Sequence, residues 1–327
     1  MTISGTVERR PGRAGVGIGL AAVARPAYIT AGRATDLGER RGVADLRERT
    51  AAVLDAAYAA GVRYLDVARS YGRAEEFLAG WLAAHPDVDD VVVGSKWGYR
   101  YVGGWRVDAD VHEVKDHSLA AFTAQFAETD ALLDGRLDVY HVHSATLETG
   151  VLDDVPLHRA LAGLRERGIR VGVSTSGPRQ AEAVRRALEV TVDGEPLFTS
   201  VQSTWNVLEP SAGSALAEAA AAGARVIVKE AVANGRLAPG SADSPSAQRV
   251  AALADELGVG VDRLAIGAAL AQPWAWCVLS GAVDPAQVAS NAAAADVVLP
   301  TWAVAELDGL AEEPEAYWSA RSSRSWS

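Results

Sequence analysis

The segment GVRYLDVARSYGRAEEFL, residues 61–78, carries the reading of the whole chain. It opens on Gly61, a residue type that ends helices in a left-handed turn. The run VRYLDV (62–67) is apolar without alternation, as a strand covered on both faces is. After a short polar stretch, residues 74–84 place apolar side chains at helical spacing. The segment therefore predicts the end of one helix, a buried strand, a loop and the start of the next helix. Asp66 falls at the C-terminal end of the strand, and Tyr71 on the loop that follows.

The same grammar repeats on either side. Continuous Val/Ile/Leu-rich runs occur at 14–20, 62–67, 91–95, 137–143, 169–174, 197–203, 224–229 and 276–281. Helical spacing fills the intervals at about 46–60, 74–84, 115–134, 154–167, 178–189, 211–222, 246–257 with 261–272, and 284–294. Gly168 and Gly223 precede the fifth and seventh runs as Gly61 precedes the second. Eight strand-then-helix units in roughly 300 residues predict an α/β (β/α)8 TIM barrel. A doubly wound sheet would set a glycine-rich turn directly between its first strand and helix. Here GVGIG lies inside the first run, and residues 21–45 separate it from the first helix, so that rival is discounted. No Pro/Ser/Gly-rich linker divides the chain, which is read as one domain over 1–327. Long connections at 21–45 and 97–114 both follow strands and are expected over the C-terminal face of the barrel, where barrel active sites lie. The tail from about 312, with Tyr317, Trp318 and Trp326, is expected either to fold over the barrel mouth or to stay disordered.

The chain has 327 residues, 49% hydrophobic and 22% charged, the composition of a globular protein large enough to need no disulfide or metal staple. Its net charge of −11 is a poor match for nucleic acid or an anionic membrane. Cys277 is the only cysteine, so there is no internal disulfide and no thiolate metal cluster. The first residues lack an apolar signal region, and no apolar run of about 18 residues occurs, so the expectation is a cytoplasmic protein. The only lysines are Lys96, Lys115 and Lys229, and each is worth placing.

Charged residues at the C-terminal ends of apolar strands cost free energy unless paired. Asp66, Lys96, His143 and Lys229 end the second, third, fourth and seventh runs. Each alone reads as a solvated strand end or a structural ion pair. Four converging on one face of one barrel point to a site. A phenol has a pKa of about 10, and an adjacent ammonium stabilises its ionised form. An Asp keeps that ammonium in place, and an imidazole can orient a substrate oxygen. Asp66, Tyr71, Lys96 and His143 together form an acid able to protonate a carbonyl oxygen. They offer neither a nucleophile nor a metal site.

At these residues the chain resembles the aldo-keto reductase superfamily. Residues 61–72 look like its G-x-x-x-x-D-x-A-x-x-Y-G signature. VVVGSK resembles the strand with the family lysine, LDVYHVH the D-x-Y-x-x-H segment, RVGVST the G-V-S-N segment, and SVQ the strand whose Gln meets nicotinamide. The resemblance runs from the first strand to the helix after the eighth. It implies a catalytic tetrad of Asp66, Tyr71, Lys96 and His143, with Tyr71 as general acid in reduction and base in oxidation. His141, at a variable position of the motif, is assigned to packing. It also implies NADP or NAD bound across the C-terminal face, with Ser174 and Gln202 on the carboxamide and NADP the commoner family choice.

The departures from the family pattern are specific. Thr175 replaces the usual Asn, and its hydroxyl could still bond the carboxamide. Lys229 stands where the family has an aromatic ring beneath nicotinamide. It reads either as a cation favouring the reduced cofactor, with Glu230 as its neutraliser, or as half of an outward-facing Lys229–Glu230 pair. Arg236 occupies the loop that meets the pyrophosphate, and a solvated loop arginine is its plain alternative. Gly281, Ala282 and Gln287 stand where Lys, Ser and Arg often clamp the adenosine 2′-phosphate. Only Asn291 is kept, which puts NADP preference in doubt; Arg249 and Arg263 are candidate substitutes. Trp97, Trp105 and Trp205 are candidate pocket walls, Trp97 first among them, and suggest a hydrophobic or ring-bearing carbonyl. Lys115 has no task.

The function expected is an NAD(P)H-dependent oxidoreductase interconverting an aldehyde or ketone and its alcohol. The partner would be that small-molecule substrate, with no nucleic acid and no membrane. One alternative is a cofactor-binding regulatory relative without turnover. Another is a lyase using Lys96 or Lys229 as a Schiff-base amine. The oligomeric state is not encoded in any feature of the sequence.

Overall fold

The computed structural model describes residues 15–29, 37–241, 244–324 and 326. Twelve strands occur among the described residues: β1 Gly15–Gly19, β2 Tyr64–Asp66, β3 Val92–Trp97, β4 Tyr99–Tyr101, β5 Glu113–Lys115, β6 Val139–Ala145, β7 Arg170–Thr175, β8 Thr191–Val192, β9 Glu195–Pro196, β10 Ser200–Thr204, β11 Arg225–Lys229 and β12 Cys277–Ser280. Eight of them close into a parallel barrel in the order β1-β12-β11-β10-β7-β6-β3-β2. These eight are the runs expected from sequence.

Helices α1 Val43–Ala59, α2 Ala74–Ala84, α3 Leu119–Leu133, α4 Val155–Ala162, α5 Gln180–Glu189, α6 Gly213–Ala221, α7 Pro245–Leu257, α8 Val261–Leu270 and α9 Pro285–Ala292 surround the barrel, and α10 Thr301–Asp308 and α11 Pro314–Ser322 follow. Side-chain caps fix several starts: Ser118 Oγ accepts from Ala121 N at the head of α3, and Asp284 Oδ1 from Gln287 N at the head of α9. Each cap is worth about 1 kcal/mol.

Two differences from the expected elements have physical causes. The long third connection is not all loop, because Tyr99–Tyr101 and Glu113–Lys115 pair as an antiparallel hairpin. Lys115 is therefore in a strand, and α3 starts only after the Ser118 cap. The helix expected at 154–167 ends at Ala162 and tightens into a 3-10 turn over Gly163–Arg167. Over its described residues the tail folds onto the barrel: α11 buries Tyr317 and Trp318, and its Arg321 pairs with Glu230 at the end of β11.

Register decides which side chains enter the barrel, since paired residues on parallel strands share a face and residues two apart on one strand do too. The pairs Gly19↔Asp66, Asp66↔Gly94, Lys96↔His141, His141↔Gly172, Ser174↔Gln202 and Thr204↔Lys229 put Asp66, Lys96, His141, Ser174, Gln202, Thr204 and Lys229 on one face. Contacts among these side chains identify that face as the interior. Below them a buried cluster of Tyr64, Val139, Ile227, Cys277 and Leu279 closes the floor. His141 rests above it, with Nε2 3.0 Å from Ser200 Oγ, in the packing place expected of it. No single described helix is long and apolar enough to cross a membrane.

Candidate active site

β2 and β3 bring Asp66 and Lys96 side by side. Lys96 Nζ donates to Asp66 Oδ2 at 2.5 Å and to the Val67 carbonyl at 3.0 Å, and Gln202 Nε2 donates to Asp66 Oδ1 at 2.8 Å. Both charged side chains are almost wholly shut off from solvent, at 0% and 3% exposure. Removing either partner would strand a buried charge, a loss of about 3–5 kcal/mol in comparable pairs. The Lys96 ammonium lies 4.7 Å from the centre of the Tyr71 ring. His143 stands against the same ring, edge to face, with centroids 5.4 Å apart. Ser70 Oγ lies 3.5 Å from His143 Nδ1. The four residues named from the sequence are thus brought together at the barrel mouth.

Electrostatics assign their protonation. Burial and then the Asp66 charge hold the Tyr71 phenol well above its usual range, and the Arg25 charge opposes them. The site therefore presents a protonated phenol at neutral pH, rather than the lowered pKa expected from an adjacent ammonium. Burial drives His143 well below 6.5, reinforced by Lys96, Lys229 and Arg25, so its ring is neutral. Burial lowers Lys96 and raises Asp66, while their mutual contact opposes both changes.

The cofactor candidates divide. Ser174 faces the interior, and its Oγ accepts from Ser144 N at 2.9 Å. Thr175, one residue on, turns to the other face of β7 and donates to Ser203 Oγ at 2.8 Å, within a buried chain that continues to Gln180. The carboxamide contact expected of Thr175 has no support in this orientation. Lys229 faces inward, not outward: Nζ donates to Thr204 Oγ1 at 2.7 Å and lies 3.7 Å from Glu230 Oε1. Burial, then Arg321 and Lys96, push it down to about 8 against the pull of Glu230. Glu230 takes its main partner from α11, where Arg321 forks onto both of its oxygens. Arg236 is neither solvated nor open to a pyrophosphate, since its fork holds Glu312 at 2.8 and 2.6 Å and Ser244 Oγ at 2.8 Å. Around β12 the space beside Gly281 is open. Gln287 Oε1 accepts from Val283 N, and Asn291 Nδ2 donates to Ser280 Oγ. Arg249 pairs with Glu306 and Glu256 on the surface, whereas Arg263 reaches Ser290 Oγ at 3.3 Å, next to Asn291.

The tryptophans correct the pocket expected from sequence. Trp97 is fully buried against Phe122 and His117, and Trp205 is buried against Trp274. Neither has the exposure of a pocket wall, and the hydrophobic-substrate inference loses its main support. Trp105 is half-buried, pinned by its Nε1 to the Arg41 carbonyl at 2.9 Å and packed close to Gly72, beside Tyr71. Sequence reasoning missed the groups that do crowd the site. Arg25 and Tyr28 come from the connection after β1. Tyr99 of the hairpin meets His143 edge to face at 5.0 Å. Lys115 acquires a task, donating to the Ser144 carbonyl at 3.0 Å and lying over Tyr99. Trp326, from the tail, stacks on His112 at 4.2 Å.

The fold has close counterparts among solved structures. The glycerol dehydrogenase from Gluconobacter oxydans superposes with a TM-score of 0.70 at 21% identity, covering 92% of this chain and 94% of that one. An aldo-keto reductase from Bacillus halodurans, in its holo form, gives 0.65 at 18% identity over 93% and 96%. No curated protein sequence matches the chain. Residues 37–312, most of the chain and all of the barrel after β1, match the Aldo/keto reductase family, and the chain belongs to that family.

Proposed function

We propose that the protein is an NAD(P)H-dependent carbonyl reductase, and in reverse an alcohol dehydrogenase, with Tyr71 as its acid–base residue. The observation that carries this reading is the buried phenol of Tyr71, packed against a neutral imidazole and an ammonium fixed by Asp66. The interior groups suit a nicotinamide carboxamide. Ser174 Oγ accepts one bond and keeps its own proton to donate, and Gln202 offers an amide beside it. Asn291 and the open space at Gly281 would meet the adenosine end. When bound, the reduced cofactor supplies the hydride. The chain supplies the proton: Tyr71 donates it to the carbonyl oxygen as that oxygen becomes an alcohol. His143, neutral, hydrogen-bonds the same oxygen and orients it. Lys96 stabilises the phenolate left behind, and Asp66 holds Lys96 in place.

With Gly281, Ala282 and Gln287 at the 2′-phosphate positions, NADH should bind at least as well as NADPH. Fluorescence titration with each, followed by an aldehyde and ketone panel using the tighter one, tests the reading. Strong NADPH preference that survives Arg263→Ala would overturn the cofactor assignment. Tight cofactor binding with no turnover on any carbonyl would overturn the enzymatic one.

A further inference from the structure

Arg25 is the least expected charge near the site. It is 1% exposed, on the connection after β1, and no motif marks it. Its Nε donates to the Ala21 carbonyl at 3.0 Å, and its Nη1 to the Ser70 carbonyl at 3.2 Å and to Glu113 Oε1 at 2.7 Å. Its guanidinium carbon lies 5.0 Å from the centre of the Tyr71 ring, 4.6 Å from that of Tyr28 and 4.9 Å from that of Trp326. Tyr71 therefore has two cations at similar range, the other being Lys96 at 4.7 Å. The backbone is fitted to this contact. Arg73 N donates to the Ala24 carbonyl. A Cβ on Gly72, whose φ is +60°, would come within 2.7 Å of the Ala24 oxygen and 2.8 Å of Arg25 Cβ. The segment around Arg25 is clamped onto the loop that carries Tyr71.

We propose that Arg25 is a positioning residue for Tyr71: it grips the Tyr71 loop and, as a second cation beside Lys96, stabilises the phenolate form. The inference rests on the reading of Tyr71 as acid–base residue and deepens it. The rings of Tyr28 and Trp326 cover the guanidinium and keep water from it, which strengthens its field at Tyr71. Among the described residues, the charged and titratable groups that act on or pack against Tyr71 include Asp66 from β2, Lys96 from β3, His143 from β6, Arg25 and Tyr28 after β1, Glu113 from β5 and Glu230 after β11. Among these, Arg25 opposes the upward push on the phenol, and Glu113 adds to it. The two halves of the Arg25–Glu113 pair thus act on Tyr71 with opposite signs.

The opposition supplies the test. A fluorinated tyrosine placed at position 71 brings the titration into the stable pH range, and its fluorine resonance reads ionisation without substrate or cofactor. Arg25→Met should move that titration up by about one unit or more, a tenfold or larger loss of phenolate at fixed pH. Arg25→Lys should recover part of the shift, and Glu113→Gln should move it down. If Arg25→Met does not fold, Arg25→Lys and Glu113→Gln still decide. No shift in either, or shifts of Arg25 and Glu113 variants in the same direction, would overturn the proposal. A Tyr71→Phe enzyme with full turnover would instead sink the acid–base reading while leaving the measured titration as it stands.

Discussion

Replacing Arg321 by methionine should destabilise the protein in a pH-dependent way. Arg321 Nε lies 3.2 and 3.0 Å from the two oxygens of Glu230, and Nη2 also reaches Oε1. The two side chains are only 19% and 8% exposed. Burial alone would raise the Glu230 carboxyl, but Arg321, and after it Lys229, hold it at about 2, against 4.5 for a free glutamate. At about 1.4 kcal/mol per unit this depression corresponds to about 3 kcal/mol. Lys229 at 3.7 Å and Thr204 Oγ1 at 3.3 Å remain after the substitution. The expected loss at pH 7 is therefore about 2–3 kcal/mol, below the upper range for orphaning a buried partner. Because the folded pKa lies below the unfolded one, the stabilisation is complete above the unfolded value and fades as pH falls toward the folded one. The gap between wild type and Arg321→Met should thus narrow from about pH 5 down to about pH 2. Urea unfolding followed by tryptophan fluorescence across that range measures it, and Glu230→Gln closes the double-mutant cycle. A loss at pH 7 no larger than the roughly 0.5 kcal/mol of an exposed pair, or a gap that ignores pH, would mean that Arg321 does not hold the Glu230 charge.

Gly172→Ala places a Cβ 2.5 Å from His141 Cδ2 and 2.7 Å from the Ser200 carbonyl oxygen. That should cost about 1–3 kcal/mol in urea unfolding, since neither the packed ring nor the strand backbone can yield freely. With Tyr71 protonated and His143 neutral, carbonyl reduction should change little between about pH 6 and pH 7, below the value of about 8 at which Lys229 loses its charge, whereas alcohol oxidation should rise with pH by up to about tenfold per unit. Initial rates in both directions with one carbonyl–alcohol pair check this, and oxidation that falls as pH rises would contradict it.

The barrel was legible because its strands are continuous apolar runs separated by helical spacing, a pattern imposed by burial on both faces of a parallel sheet. The clustering of Asp66, Tyr71, Lys96 and His143 was legible because strand ends carry charge only at a cost. The errors follow from a rule also available in the sequence: side chains alternate along a strand. Trp97 follows Lys96, Thr175 follows Ser174 and Trp205 follows Thr204, so an inward residue sends its neighbour out toward the helices. Glu230 escapes the rule because its φ of +58° breaks the strand and returns its carboxylate to the mouth. Arg25, Glu113 and Arg321 were not legible. They sit on a connection, a hairpin and the tail, where no period fixes direction, and they reach the site only through tertiary packing. Arg236 shows the converse: its loop position suggested an anion partner, and the partner it has is Glu312 of its own chain.

Proton delivery by Tyr71 is the step on which the proposed activity depends. Single-turnover oxidation of bound NADH or NADPH by an aldehyde, followed by loss of cofactor fluorescence, compares wild type with Tyr71→Phe directly. Hydride transfer in Tyr71→Phe is expected to be slower by about 10²–10⁴, with the cofactor still bound. Transfer within about tenfold of wild type would contradict it, because general acid catalysis of ordinary strength would then be absent.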